Sequence, residues 1–495
     1  MAALRWPIRQ GRKFVASNAE KLVKFRSPFY VTTLIAGSIF MEMLDGTIIA
    51  TAIPQMALSF HVGPVSLNIG ITAYLLTLAI FIPISGWVAD RFGSRSVFST
   101  AIGIFTLASG FCGVSKTLMQ FILMRIFQGI GGAMMVPVGR LIVLRTAPKE
   151  KLTQALAYIT WPALSAYVIG PPLGGFITTY ANWHWIFFLN LPIGIAAIIL
   201  AILWIENERA EEVHPFDWLT FLLGGFASAG VLYAMEEIGG EGTHQQLPSV
   251  ILALSVISGI VAVAAARRQP ARSLIDFDSL KLRTFALSIY GGSAFRIAVN
   301  VLPFLLPLMF QIAFGLTAFQ SGLYLLALFA GDLSMKALTI PALLRFGFRR
   351  VLIVNGVITA VSIAVCATLA PSTPVVLIIV ILFLHGAFRS MEFTCITTLA
   401  YSEIAPSRMS RANSFLSAVM QLSSGMGVAI GAITLRFVAH AHGHSAAVPS
   451  LHDFQMVYLL VAALALGPVF DSLRLPQDAG GATSGHMHSE YETSP

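Results

Sequence analysis

The sequence predicts an all-α membrane protein of fourteen spanning helices, arranged as two six-helix halves with two further helices inserted between them. Composition, the spacing of apolar windows and an internal repeat carry this prediction. Of the 495 residues, 56% are hydrophobic and 11% charged, against about a quarter charged in an ordinary soluble domain, so water is not the main solvent of this chain. A helix needs about 20 mostly apolar residues to cross a bilayer. Fourteen such windows, bounded by Gly, Pro or charge clusters, follow one another: 30–53, 67–88, 97–115, 117–144, 152–178, 185–205, 217–235, 248–266, 284–313, 319–344, 350–370, 374–401, 409–437 and 454–472. The segment ADRFGSRSVF (89–98) returns 254 residues later as LLRFGFRRVL (343–352), and RTAPKEKLTQA (145–155) returns 258 residues later as EIAPSRMSRAN (403–413). Near-equal offsets argue for duplicated halves, which leaves the windows 217–235 and 248–266 as an insertion.

The expected organisation is a basic N-terminus (1–29), a six-helix half (30–205), a two-helix linker (206–270), a second six-helix half (271–472) and a disordered tail (473–495) rich in Gly and His. Arg5, Arg9, Arg12, Lys13, Lys21, Lys24 and Arg26 precede the first window. Beside a membrane helix such a run reads as a topology signal, and no nucleic-acid-binding motif accompanies it. The first window is too long for a signal-peptide core and has no small-residue cleavage site, so retention of the N-terminus is expected. Placing that terminus in the cytoplasm also puts Arg91, Arg95, Arg145, Lys149, Lys151, Arg267, Arg268, Arg345, Arg349, Arg350, Arg408 and Arg411 inside, while the outer loops keep Lys116 and Arg436. This asymmetry favours an even number of crossings with both ends cytoplasmic. Cys112, Cys366 and Cys395 all fall in apolar windows, so no disulfide framework is indicated.

Several segments carry chemistry. After the second window, GWVADRFGSRSVF (86–98) sets Gly86 and Gly93, which permit tight turning, among Asp90, Arg91 and Arg95, which can make charge-assisted bonds and face helix ends. The fourth window holds LMRIFQGIGGAMMVPVGR (123–140), where Arg125 is costly unless it meets a carboxylate, a carbonyl or water. Gly129, Gly131 and Gly132 there suit close helix contact, and Pro137 suits a bend. The fifth window holds YVIGPPLGG (167–175), with Gly170, Pro171, Pro172, Gly174 and Gly175; the first ends in LDGTIIATAIP (44–54), which contains Asp45.

In order and position these segments, with WHWIFFLNLPIG (183–194) and FDWLTFLLGG (216–225), resemble the signatures of the major facilitator superfamily, and in particular its fourteen-helix drug:proton antiporter branch, over nearly all of 30–472. The resemblance implies the major facilitator fold with a substrate cavity between the halves. It also implies a conformational latch of the outward-open state at Gly86, Asp90, Arg91, Gly93 and Arg95, an antiporter motif at Gly170, Pro171, Gly174 and Gly175, a part for Arg125 in proton transfer, and Asp45 as the matching first-helix acid. The chain departs from the pattern at Ala166, where a further Gly is usual, at the added Pro172, and at Ala50, where the branch often has Asn. Plainer readings stay open: a topology-setting basic loop for 86–98 and a kinked packing seam for 167–175.

Eight ionisable residues fall well inside apolar windows: Glu42, Asp45, Arg125, Arg296, Asp332, Lys336, Arg389 and Glu392. Each costs about 2.5–3.5 kcal/mol if unpaired at a helix centre, so they must pair, neutralise or touch water. Asp332 and Lys336 are four apart and Arg389 and Glu392 three apart, so two neutralising local pairs are expected, with substrate contact as the alternative. Glu42 and Asp45 share a face with no base near them in their own helix, and two such carboxyls cannot both ionise cheaply, a property suited to a proton carrier. Asp45 is expected to be the main coupling group. Arg296 is expected to bridge to Asp332 or Glu392, or to receive an anionic group of the cargo, and Arg140, close to Arg145, to snorkel.

Together these readings imply a secondary active transporter, exporting amphipathic drugs or toxic small molecules in exchange for protons across a bacterial inner membrane. A dedicated exporter of one metabolite, siderophore or organic acid is the alternative, favoured by the four mid-membrane cations. A membrane-embedded enzyme or sensor is least favoured, since no HExxH, Walker A or GxSxG pattern is present. The expected partners are a small-molecule substrate and the lipid bilayer, with no nucleic acid and a monomeric state. No catalytic residue, metal site or cofactor is expected beyond the proton as coupling ion, and the HAHGH run (440–444) is read as solvated.

Overall fold

A computed structural model describes residues 28–146, 152–209, 216–238, 246–268, 277–405, 408–443 and 449–476. The basic residues of the N-terminus, Lys149, Lys151, His444 and the tail from 477 onward lie outside the described residues. The first half comprises α1 (Pro28–Ile48), continued by a 3-10 turn (Ile49–Thr51), then α2 (Ile53–Phe60), α3 (Asn68–Phe81), α4 (Ser85–Phe92), α5 (Ser94–Gly113), α6 (Leu118–Thr146), α7 (Leu152–Tyr180), α8 (His184–Phe188) and α9 (Asn190–Trp204). The linker supplies α10 (Trp218–Ile238) and α11 (Gln246–Arg268). The second half comprises α12 (Arg283–Leu308), α13 (Ala318–Cys366), α14 (Val375–Tyr401), α15 (Met409–Ala441), α16 (Leu451–Ala465) and α17 (Gly467–Leu473). No strand occurs among the described residues, as hydrocarbon demands of a chain that must satisfy its backbone within each segment.

All fourteen apolar windows lie on helix. Twelve stretches among the described residues are long and apolar enough to cross a membrane. The numbers differ because the Gly- and Pro-rich α7 is not among the twelve, and because α13 enters as a single 49-residue stretch although it breaks at Gly347. That break bears on the repeat. Gly347 takes φ 74° and ψ 163°, and Gly93, at the same place in the earlier copy, takes φ 94° and ψ 137° between α4 and α5. Only glycine adopts such backbone readily, and a Cβ on Gly93 would also collide with Asn207 Oδ1. The repeated RFG triplet therefore makes the same turn twice.

Burial separates the linker from the rest. Only 22% of the apolar span of α10 or of α11 is buried inside the protein, against 72% for α12, so the inserted pair is peripheral and most of its apolar surface is left for lipid. It packs on itself through Gly230 against Ser255, and α10 touches α3 through Gly225 and Ile80 and through Phe221 and Phe81.

The core is divided unevenly along the bundle. At the end that carries the basic loops the first half has a core of its own, built on Ile35, Phe98, Ile102, Phe105 and Val138. The second half has another there, around Phe285, Ala400 and Leu416. At the opposite end Leu44, Ile53, Phe121 and Trp183 of the first half share one core with Phe304, Leu305, Phe310 and Leu328 of the second. Polar bonds join the halves at that same end: Gln311 Nε2 donates to the Thr51 carbonyl (3.1 Å) and the Phe319 amide donates to Thr179 Oγ1 (3.1 Å).

Candidate functional site

Charge is concentrated first where α1, α5, α6 and α9 converge. Arg125 Nη1 donates to Asp45 Oδ2 (2.6 Å) and to Gln128 Oε1 (2.7 Å). Gln128 Nε2 donates to Asp45 Oδ1 (2.8 Å), which also accepts from Asn190 Nδ2 (2.9 Å). Asn190 reaches Ser109 Oγ (3.0 Å) as well, and Ser109 hands its proton to the Phe187 carbonyl (2.9 Å). The Arg125 guanidinium stacks 4.2 Å from the centre of the Tyr74 ring. Asp45 and Arg125 are each 1% exposed. Both oxygens of Asp45 are thus held, one by a cation and one by two amides, as a buried ion pair requires if it is to survive desolvation.

Glu42 has the opposite surroundings. It lies one turn before Asp45, is 3% exposed, and its Oε2 has no hydrogen-bond partner. Gly132 makes room for it: a Cβ there would lie 3.2 Å from Glu42 Oε1 and 3.1 Å from Tyr74 Oη. The two first-helix acids therefore differ in kind. Asp45 is a fixed counter-ion, whereas Glu42 is an acid without a donor to stabilise its charge. Asp45, expected from the sequence as the main coupling group, is thus held by a base from α6, a helix that a search along α1 alone does not reach.

In the second half the expected local pairs do not form. Arg389 Nη2 bonds to Asp332 Oδ2 (2.5 Å), from α14 to α13, with the side chains 12% and 24% exposed. Glu392 accepts from Asn355 Nδ2 (2.8 Å) on the far segment of α13, and Lys336 Nζ donates to Thr394 Oγ1 (2.9 Å). Neighbours three or four apart share a helical face, but the pairing is decided by the helix packed opposite. Arg296 is 1% exposed and bridges to neither acid; its Nη1 donates to the Ser288 carbonyl (3.0 Å), and its Nε and Nη2 have no hydrogen-bond partner. Arg140 is exposed.

The loop motif stays within the first half. Asp90 Oδ1 accepts from Arg145 Nη2 (3.0 Å), both side chains being partly exposed. Ser94 and Ser96 donate their amides to the Glu208 carbonyl and to Asn207 Oδ1, so the stretch after α9 caps the turn at Gly93. Gly86 has open space around it; Arg91 and Arg95 flank the turn on α4 and α5.

The Gly/Pro segment of α7 is a contact surface on two sides. A Cβ on Gly170 would strike Thr47, and one on Gly174 would strike the Ile48 carbonyl, both on α1. Gly175 meets the Ala318 carbonyl, while Gly322 on α13 meets the carbonyl of Pro171. These positions are small because α7 lies backbone to backbone with both halves, at the end where the halves share a core.

Gln128, Asn190, Ser109, Tyr74, Asn355 and Thr394 belong to these sites and were not singled out from the sequence. The usable signal was polarity inside an apolar window, most plainly at Gln128, three residues after Arg125. In the HAHGH run His442 Nδ1 lies 2.6 Å from Asp453 Oδ1, and no group of three or more His, Cys, Asp or Glu side chains suited to a metal occurs among the described residues.

The family model described as Major Facilitator Superfamily matches residues 35–428 and again 289–470. The chain is 36% identical over 451 residues to the "Putative multidrug resistance protein MdtD" of Klebsiella pneumoniae (strain 342), covering 91% of this chain and 95% of the relative. It is 35% identical over 449 residues to the protein of that name from Escherichia coli (strain K12), covering 90% and 94%. Among solved structures it resembles a D-xylose-proton symporter, with a TM-score of 0.63 at 16% identity over 91% of this chain and 99% of that one. It also resembles a bacterial homologue of the human lysosomal transporter Spinster in an inward-facing, unoccupied conformation, with a TM-score of 0.61 at 14% identity over 90% and 97%.

Proposed function

The chain therefore belongs to the major facilitator superfamily and is a transporter rather than an enzyme, and from that premise we propose that it is a proton-coupled antiporter exporting amphipathic, toxic small molecules. The observation that carries the coupling is the contrast inside α1: Asp45 saturated by Arg125, Gln128 and Asn190, and Glu42 left without a donor one turn away. An ionised carboxyl buried without a donor is costly, so Glu42 is read as the group that takes and releases the proton. Asp45 and Arg125 form the fixed part of the same site. Release is favoured when the site meets water, and the buried state favours the neutral acid.

Export is supported by the multidrug-resistance names of bacterial relatives that match nearly end to end and by the α7 segment resembling the antiporter motif. The halves share a core at one end and keep separate cores at the basic end, which suits a rocking motion that alternates access. Fourteen crossings, both termini in the cytoplasm, a bacterial inner membrane and a monomer complete the reading. Gly86, Asp90, Arg91, Gly93 and Arg95 are read as the latch at the basic end. The test has two stages. Growth of a pump-deficient bacterium across a panel of toxic compounds identifies cargo; purified protein in proteoliposomes should then accumulate that cargo only when a pH gradient is imposed. Accumulation that is unchanged when the gradient is collapsed excludes proton coupling.

A further inference from the structure

We infer that Arg296, at the contact of α12 with α14, is the anchor for an acidic group on the cargo, so that the preferred substrates are anionic amphiphiles rather than neutral or cationic ones. This rests on the exporter reading above and narrows its substrate class. Arg296 is the C-terminal counterpart of a problem that the N-terminal half has solved. Arg125 meets a carboxylate and an amide, whereas Arg296 has one carbonyl, that of Ser288, and keeps Nε and Nη2 without a hydrogen-bond partner at 1% exposure. Losing the hydration of a guanidinium without a counter-charge is among the more expensive arrangements a membrane protein can hold. An intramembrane charge held in that way is by default a functional group.

Three local features fit an anion receptor better than a mere packing element. Gly292, one turn earlier on α12, leaves the volume the side chain needs, since a Cβ there would lie 2.9 Å from Arg296 Nη1. Phe393 on α14 stands 5.7 Å from the guanidinium carbon, an apolar and aromatic flank suited to the body of an amphiphile whose acid pairs with the fork. The acids of the facing helices are also engaged elsewhere, Glu392 by Asn355. Asp332 is taken by Arg389, and Lys336 is held by the neutral Thr394 Oγ1 on α14, one residue from Phe393. The helix itself can yield, as Pro303 and Pro307 interrupt its later part and it ends in a wide turn over Met309–Ala313. A guanidinium fork recognises a carboxylate, sulfonate or phosphate alike.

The test measures binding, which separates it from the coupling reading. Full-length protein in lipid nanodiscs is titrated with three acid and amide pairs on phenyl, naphthyl and pyrenyl butyrate scaffolds. The wild type should bind the acid of at least one pair ten-fold or more tighter than its amide. Arg296→Gln should erase that preference and leave amide affinity within two-fold, while Arg296→Lys should restore part of it. Lys336→Gln should weaken acid binding less than Arg296→Gln. Equal binding of acid and amide by the wild type, failure of all three acids to bind, or a preference that survives Arg296→Gln would each overturn the inference. Amide affinity in the variant reports an intact fold, and pH-gradient-driven accumulation, measured separately, stands or falls without it.

Discussion

Between α1 and α6 the N-terminal half closes an acid, a base and an amide into one ring, with Asn190 of α9 bonded to the same acid, whereas between α12 and α14 the C-terminal half leaves a base against a carbonyl and an aromatic face. What each half leaves over is also opposite. The first keeps a spare carboxyl in Glu42, and the second keeps a spare guanidinium in Arg296. The ion pair between α13 and α14, Asp332 with Arg389, is more open to solvent than Asp45 with Arg125. Duplicated halves with matching turns at Gly93 and Gly347 thus carry unlike chemistry, one suited to a proton and one to an anion. The difference lies at the helix contacts and not in the fold.

The most damaging way to break this comparison is to open the N-terminal ring. Asp45→Asn leaves Arg125 buried without its counter-charge, a loss of about 3–5 kcal/mol for a buried pair, so folded yield from detergent extracts should fall sharply. Adding Arg125→Gln should recover part of the yield; strict additivity of the two losses would argue against the pair. Asp332→Asn in the second half should cost less, about 1–3 kcal/mol for a charged hydrogen bond, since its site is partly open. Thermal unfolding of the two single variants side by side measures the contrast, and equal losses would erase it. Asp90→Asn should be smallest, within about 1 kcal/mol for an exposed pair, with membrane abundance near normal. Accessibility of cysteines introduced near Gln311 and Phe319 should nevertheless shift if the loop latches the halves, and unchanged labelling would leave Asp90 with the local contact to Arg145 alone.

Much of this was legible in the sequence, and for identifiable reasons. Helix positions follow from runs of apolar residues, and the eight charges inside apolar windows were visible because a charge is conspicuous among Leu, Ile and Phe. Their partners were not. Spacing along one helix tells which residues share a face, as with Arg389 and Glu392, but not which helix lies opposite, and Arg389 found its acid 57 residues away in Asp332. Asn190 and Gln128 stood inside segments noted for other reasons, and a neutral amide gives no charge to balance. The surroundings of Glu42 and Asp45 separated only with the α6 base, which bonds Asp45 and not Glu42.

That separation is the centre of the account, and one comparison tests it most directly. Glu42→Gln and wild type are reconstituted in parallel proteoliposomes, and cargo is followed first down its own gradient and then against it under an imposed pH gradient. The variant should exchange cargo downhill at a rate within a few-fold of wild type and fail to concentrate it when the pH gradient is applied. Uphill accumulation by Glu42→Gln at the wild-type rate and extent would contradict the assignment and return the proton to another group.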